Sequence, residues 1–219
     1  MKAIILAAGE GRRLQPLTHS IPKPLLQVGG KSLIERHIER LVAAGISNVI
    51  VNLYHLGQEI ERVLGSGDKF GAEITYSRED QLMETGGGIA AALGLLGQDD
   101  FVVVNGDIYT DFDFGLLNLL PAGVMGHLVL VDNPSHHPEG DFAIEEGGLL
   151  ARTGACLTYA GISVLSFSLF SGCESAPFPL RDLLLPGAEA GMLTGKHYQG
   201  FWSDVGTLQR YEELKVERG

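Results

Sequence analysis

The sequence predicts an α/β protein whose central sheet is mixed and mostly parallel, with helices packed on it. Two observations carry this. Short apolar, β-branched runs alternate with helical stretches through the first 133 residues. The runs are continuously apolar and bounded by turn residues, as buried strands are. A chain of 219 residues that is 45% hydrophobic and 20% charged can bury the core such a sheet needs.

The elements follow in order. "KAIILAA" (2–8) is β-branched at its centre and stops at Gly9, which makes it the first strand. From Ser32, the residues Leu33, Ile34, His37, Ile38, Leu41 and Val42 fall at helical spacing. Ser32 caps this helix, Glu35 completes a capping box and Gly45 ends it. "NVIVNLY" (48–54) is a second buried strand, "LGQEIERVLG" (56–65) a short helix, and the alternating "AEITYSRE" (72–79) a strand. "GGGIAAALGLLG" (86–97) is a glycine cluster feeding an apolar helix. "FVVVNGD" (101–107) and "HLVLVDN" (127–133) are further strands, and the order reads β-α-β-α-β-α-β-α-β.

Past residue 133 the pattern changes. The turn-rich 133–154 predicts hairpins, and "TYAGISVLS" (158–166) a strand. "PFPLRDLLLPGAEAG" (177–191) is a helix that Pro186 ends or kinks. "HYQGFWSDVGT" (197–207) gives a strand and a loop, and "LQRYEELKVERG" (208–219) a frayed terminal helix. With no repeats or linkers, 1–219 reads as a single domain.

The net charge of −11 argues against a nucleic-acid partner, which calls for a basic face. Phosphates would have to be met by a few local cations, backbone N–H groups or a metal ion. The two cysteines, Cys156 and Cys173, read as free thiols in a reducing compartment. "AIILAA" is too short for a signal peptide, and no stretch approaches the ~20 apolar residues of a membrane span. A soluble, cytoplasmic protein is expected.

The chemistry concentrates in "LAAGEGRRLQPLTHSIPKPL" (6–25). The run from Gly9 to Leu14 lacks the third glycine of a dinucleotide fingerprint. "GGKS" (29–32) lacks the first glycine of a P-loop, because Leu25 stands there. Glycines after a strand still let backbone N–H groups face an anion. Arg13 offers a planar fork of donors that suits phosphate. Lys23 lies between Pro22 and Pro24, which stiffen the backbone and turn a surface cation into a positioned charge.

Elsewhere each candidate has an ordinary reading beside the functional one. Asp107 ends a buried strand, where open α/β sheets collect ligands, and Asp204 could join it in holding Mg²⁺; both also read as turn aspartates. Gly86, Gly87 and Gly88 make a tight turn or a backbone contact to a base. Asp111 and Asp113 read as turn or helix-start residues. His136 and His137 are adjacent and lack a third ligand, so they make a poor metal pair. Trp202 either stacks on a sugar or fills the core.

The 6–25 segment resembles the signature of the sugar-1-phosphate nucleotidylyltransferases, L-A-A-G-x-G-x-R-x-x-P-x-T-x-x-x-P-K-P. The resemblance continues in order through "ETGGG" (84–88), "VNGD" (104–107), "YAGISVL" (159–165) and "WSDVGT" (202–207), so it covers essentially the whole chain. It implies a Rossmann-like three-layer nucleotide-diphospho-sugar transferase fold, with a nucleotide-binding half (1–132) and a sugar-binding half (133–219). It implies an enzyme that joins a nucleoside triphosphate to a sugar 1-phosphate with Mg²⁺, as a monomer or small homo-oligomer.

By the same resemblance, Arg13 and Lys23 are catalytic, and Leu6, Ala8, Gly9, Gly11, Arg12, Gln81 and Gly86 join them around the nucleotide. Asn105, Asp141 and Gly161 fall where the family binds the sugar, and Asp107 and Asp204 hold the metal. The amide of Gln81 both donates and accepts, which suits uracil. Within the family, the short length, the "ETGGG" loop and the "VDNPSHHPEGDF" segment (131–142) are most similar to uridylyltransferases. One departure stands out. Relatives carry an E-K-P motif whose lysine binds the sugar phosphate, whereas this chain reads "EEGGLLARTG" (145–154), which leaves Arg152 as the candidate substitute.

Overall fold

The structure, a computed structural model, describes residues 1–219. The apolar runs become the strands β1 (Lys2–Leu6), β2 (Asn48–Leu53), β3 (Glu73–Arg78), β4 (Phe101–Asn105), β5 (Ile108–Thr110), β6 (Gly126–Val131), β7 (Thr158–Leu165), β8 (Leu193–His197) and β9 (Trp202–Asp204). The helices are α1 (Leu33–Ala43), α2 (Gly57–Leu64), α3 (Glu84–Leu96), α4 (Arg181–Glu189) and α5 (Leu208–Arg218). Seven strands form one sheet in the order β8-β6-β7-β4-β1-β2-β3. Only β7 runs antiparallel to its neighbours. The sheet is therefore mixed and mostly parallel, and it runs unbroken across the expected boundary at 132/133.

Strand alternation builds the layers. Ala3 and Ile5 point to one face, where Ile34, Ile38 and Leu41 of α1 and Ile60 and Leu64 of α2 cover them. Ile4 points to the other, against Ile89 and Leu96 of α3 and Leu184 of α4. Burying each large aliphatic side chain contributes about 1.5–3 kcal/mol, so the two faces hold the three layers together. The start of α1 is as the sequence predicts: Ser32 and Glu35 bond reciprocally as a capping box.

Four expectations need correction. No helix separates β4 from β6; only a 3-10 turn at Phe114–Leu116 does, and Phe112 and Phe114 plug the face a helix would have covered. Pro186 does not end α4, which runs on to Glu189. The proline removes one N–H, whose acceptor would be the carbonyl of the exposed Asp182, where water can serve. A strand missed in the sequence, β8, ends at His197 and pairs parallel with β6. Finally, α5 is docked rather than frayed. Its Tyr211 and Leu214 are buried against Leu14, Leu26, Val28 and Leu33, and the Tyr211 hydroxyl donates to the Gln27 carbonyl at 2.8 Å.

The strands β1 and β4 are parallel neighbours, with Leu6 opposite Asn105. Their following loops leave the same edge side by side. That edge carries the candidate site.

Candidate active site

The loop after β1 folds as three short 3-10 turns, Arg12–Leu14, Leu17–His19 and Lys23–Leu25. Gly11 takes the left-handed conformation at φ 63°, and a Cβ there would sit 2.8 Å from the Thr18 side chain. The Thr18 hydroxyl closes this turn by donating to the Gly11 carbonyl at 2.9 Å. Leu14 and Leu26 pin the loop under α5. Lys23 opens the third turn with its side chain only 12% exposed, and its Nζ donates to Oδ2 of Asp107, just beyond β4. The proline-flanked lysine is thus a held charge, facing a carboxylate from the neighbouring strand's loop.

Gly11, Lys23 and Asp107 line a cavity of about 440 Å³. Of the expected nucleotide residues, Leu6, Ala8, Gly9, Gly11 and Lys23 line it, as do Asn105 and Asp107. Arg12 and Arg13 are exposed and do not. Arg12 pairs with Glu10 at 2.5 Å, while Arg13 makes no ion pair. Gln81 is exposed beside Leu82, which does line the cavity. Gly86 is buried in the first turn of α3. Its N–H donates to the Phe178 carbonyl at 2.9 Å, so it is not available to a base while that bond stands. A Cβ there would meet the Phe178 ring at 2.3 Å, so close packing accounts for this glycine.

Sequence reasoning missed the brace behind the loop. Asn52, at the end of β2, accepts from the Ala7 N–H at 2.7 Å and donates to Glu79 at 2.7 Å. Glu79 in turn accepts from the Met83 N–H at 3.0 Å. Burial raises the Glu79 pKa, against the pull of its two hydrogen bonds. One polar chain therefore fixes the loop after β1 relative to the start of α3. An asparagine inside an otherwise apolar strand was the available signal. Glu84 and Thr85 also line the cavity, and Glu84 carries an unusual positive φ of 59°.

Asp204 approaches from β9, which pairs antiparallel with β5 and places Asp204 opposite Ile108. The Val205 N–H donates to the Asp107 carbonyl at 2.9 Å, so the two aspartates sit on adjoining backbone. Each carboxylate meets an internal cation: Lys23 for Asp107, and Arg210 at 2.5 Å for Asp204, with His136 at 3.1 Å. No group of three or more His, Cys, Asp or Glu side chains is placed to hold a metal. Two aspartates on adjoining backbone, each balanced by a cation, do fit a hard divalent ion whose other ligands are phosphate oxygens and water.

A second cavity, also about 440 Å³, shares Thr85, Asn105 and Pro179 with the first. Asp141 lines it, and its carboxylate accepts from the Tyr159 N–H at 2.8 Å and lies 3.1 Å from His137. Gly161, at φ 75°, leaves room for Asn105, whose amide would lie 2.6 Å from any Cβ there. Arg152 lines this cavity but pairs with Glu189 at 2.5 Å. Trp202 is structural: its indole N–H donates to the Ala160 carbonyl at 2.8 Å.

This arrangement is a two-chambered cleft at the carboxyl edge of a mostly parallel sheet: the glycine loop, the held lysine and Asp107 line the first chamber, and Thr85, Asn105 and Pro179 form the wall it shares with the second. Residues 2–120 match the family model described as nucleotidyl transferase. The chain belongs to that family and is an enzyme of the nucleotidyltransferase class. Over 100% of its length and 99% of the relative's, it is 41% identical to the N-acetylmuramate alpha-1-phosphate uridylyltransferase of Neisseria meningitidis serogroup B. It is 30% identical to the mannose-1-phosphate guanylyltransferase catalytic subunit beta of Xenopus tropicalis, over 94% of this chain but only 61% of that one. In fold it is similar to a putative glucose-1-phosphate thymidylyltransferase from Bacillus anthracis, with a TM-score of 0.83, 24% identity, and coverage of 100% of this chain and 95% of that one.

Proposed function

We propose that the enzyme joins UTP to N-acetylmuramate 1-phosphate, giving UDP-N-acetylmuramate and pyrophosphate, a reaction that serves cell-wall recycling in the cytoplasm. The observation that carries the reaction class is Lys23, held at the mouth of the glycine loop against Asp107. The choice of base and sugar is supported by the full-length similarity to the meningococcal uridylyltransferase. The guanylyltransferase relative supports the second reading, guanylyl transfer to mannose 1-phosphate, but this chain spans only 61% of that protein.

The nucleotide occupies the first cavity and the sugar phosphate the second, which assigns residues 1–132 mainly to the nucleotide and 133–219 mainly to the sugar. The acceptor's phosphate oxygen attacks the α-phosphorus in line. The new O–Pα bond forms as the bond from Pα to the pyrophosphate oxygen breaks. The attacking oxygen is already anionic near neutral pH, so no general base is required. Catalysis then rests on positioning and charge neutralisation. Lys23 exchanges Asp107 for the α-phosphoryl group. Backbone N–H groups around Gly9 and Gly11 face the triphosphate, and the unpaired Arg13 swings in over the β- and γ-phosphates. Asp107 and Asp204 would hold Mg²⁺, which when bound draws charge from the phosphate oxygens of both reactants. For Asp204 to serve as a ligand, its pair with Arg210 would have to open.

Pyrophosphate release tests the proposal, measured with Mg²⁺ for UTP, GTP, dTTP and CTP against the 1-phosphates of N-acetylmuramate, N-acetylglucosamine, glucose and mannose. The strongest rate is expected for UTP with N-acetylmuramate 1-phosphate. Turnover with GTP and mannose 1-phosphate but not with UTP would replace the proposal with the second reading.

A further inference from the structure

The sugar-side cavity has an unusual charge pattern for a chamber that receives a sugar. Two guanidinium groups, from Arg152 and Arg181, line it together with His137. Sugar hydroxyls are met well by amides and carboxylates, which Asn105 and Asp141 supply. Paired arginines suit an oxyanion. The two arginines are not equivalent. Arg152 is held at 2.5 Å by Glu189, on the same helix as Arg181. Arg181 is exposed at the first position of α4 and takes part in no ion pair. The acidic groups on the same wall are Glu139 and Asp141, and Asp141 is engaged by His137 and the Tyr159 N–H.

The backbone beside Arg181 is fixed. The Leu180 N–H donates to the Thr85 hydroxyl at 2.8 Å, and Thr85 lines both cavities. Leu180 and Leu184 are buried in the core. Arg181 is therefore an uncommitted cation on a rigid base, next to the wall that the two chambers share. Nothing in the motif carried by residues 6–25 draws attention to it.

We propose that Arg181, rather than Arg152, receives an oxyanion of the acceptor and so sets acceptor affinity. This rests on the sugar 1-phosphate reading of the site. The oxyanion has two sources in N-acetylmuramate 1-phosphate, the 1-phosphate and the lactyl carboxylate. N-acetylglucosamine 1-phosphate carries the first and lacks the second, so the pair separates them.

The test compares the wild type with Arg181→Gln and Arg181→Lys, reading KM for each acceptor, KM for UTP and kcat. For Arg181→Gln, the acceptor KM is expected to rise about 10- to 100-fold, the range for losing a hydrogen bond to a charged group. Arg181→Lys is expected to recover part of that loss. The exposed position leaves folding intact, which the circular dichroism spectrum and melting temperature check. A rise for N-acetylmuramate 1-phosphate that much exceeds the rise for N-acetylglucosamine 1-phosphate assigns the contact to the carboxylate. Equal rises assign it to the phosphate. An unchanged acceptor KM, or a change confined to UTP, overturns the proposal. A wild type that uses only another sugar 1-phosphate overturns the reading of the sugar, and the KM for that sugar in Arg181→Gln still decides the role of Arg181.

Discussion

Lys23 shows how a single residue can be readied for polyanions in a protein of net charge −11. Its prolines fix the turn, its carbon stem is buried, and its ammonium waits on Asp107. Replacing it with alanine removes a donor aimed at developing charge. Turnover is expected to fall on the order of 10²-fold or more, with an unchanged circular dichroism spectrum. Near-normal kcat in Lys23→Ala would make the lysine a structural partner of Asp107 and nothing more. At this scale much of the site was legible, because the 6–25 motif constrains residue types at fixed spacing. Gly86 was not: the same glycine pattern serves a base contact or close packing, and only the fold shows the Phe178 ring 2.3 Å from where its Cβ would lie. Arg181 was not legible either, because nothing local marks an unpaired arginine. It stands out only once Arg152 is seen bound to Glu189.

Elements were legible where a local rule suffices. The capping box of Ser32 and Glu35 fixed the start of α1, and apolar runs fixed the inner strands. They were illegible where tertiary packing overrides local preference, as when Pro186 persists within α4 and α5 finds a buried seat for Tyr211. The inner face of α1 also carries a testable cost. His37 is buried, its Nε2–H donates to the Ile108 carbonyl at 3.0 Å, and its Nδ1 has no partner. Burial pushes its pKa down to about 4, although Asp107 and the carbonyl oppose the shift. A histidine depressed in the folded state binds its proton more readily when unfolded, so stability falls as pH drops from about 6.5 towards 4. Between pH 7 and pH 5 this one group should cost about 2 kcal/mol. Urea unfolding at both pH values checks it: His37→Gln, which keeps a donor for Ile108, should lose that part of the difference. An identical pH dependence in the variant would place the acid sensitivity elsewhere.

At the scale of the whole molecule, the sheet explains why two chambers adjoin. Strands β1 and β4 deliver the glycine loop and Asp107 to one edge, while β7 runs against them and brings Gly161 beside Asn105. The small β5–β9 pair then carries Asp204 from the far end of the chain to Asp107. The central claim is transfer of the uridylyl group to the intact sugar phosphate across these chambers. Its sharpest test supplies UTP and N-acetylmuramate 1-phosphate whose non-bridging phosphate oxygens are labelled with ¹⁸O, and reads the products by mass spectrometry. Attack by the sugar phosphate on the α-phosphorus predicts that all of the label stays in UDP-N-acetylmuramate and that equimolar, unlabelled pyrophosphate is released. UMP and pyrophosphate without a nucleotide sugar, or label in the pyrophosphate, would contradict it.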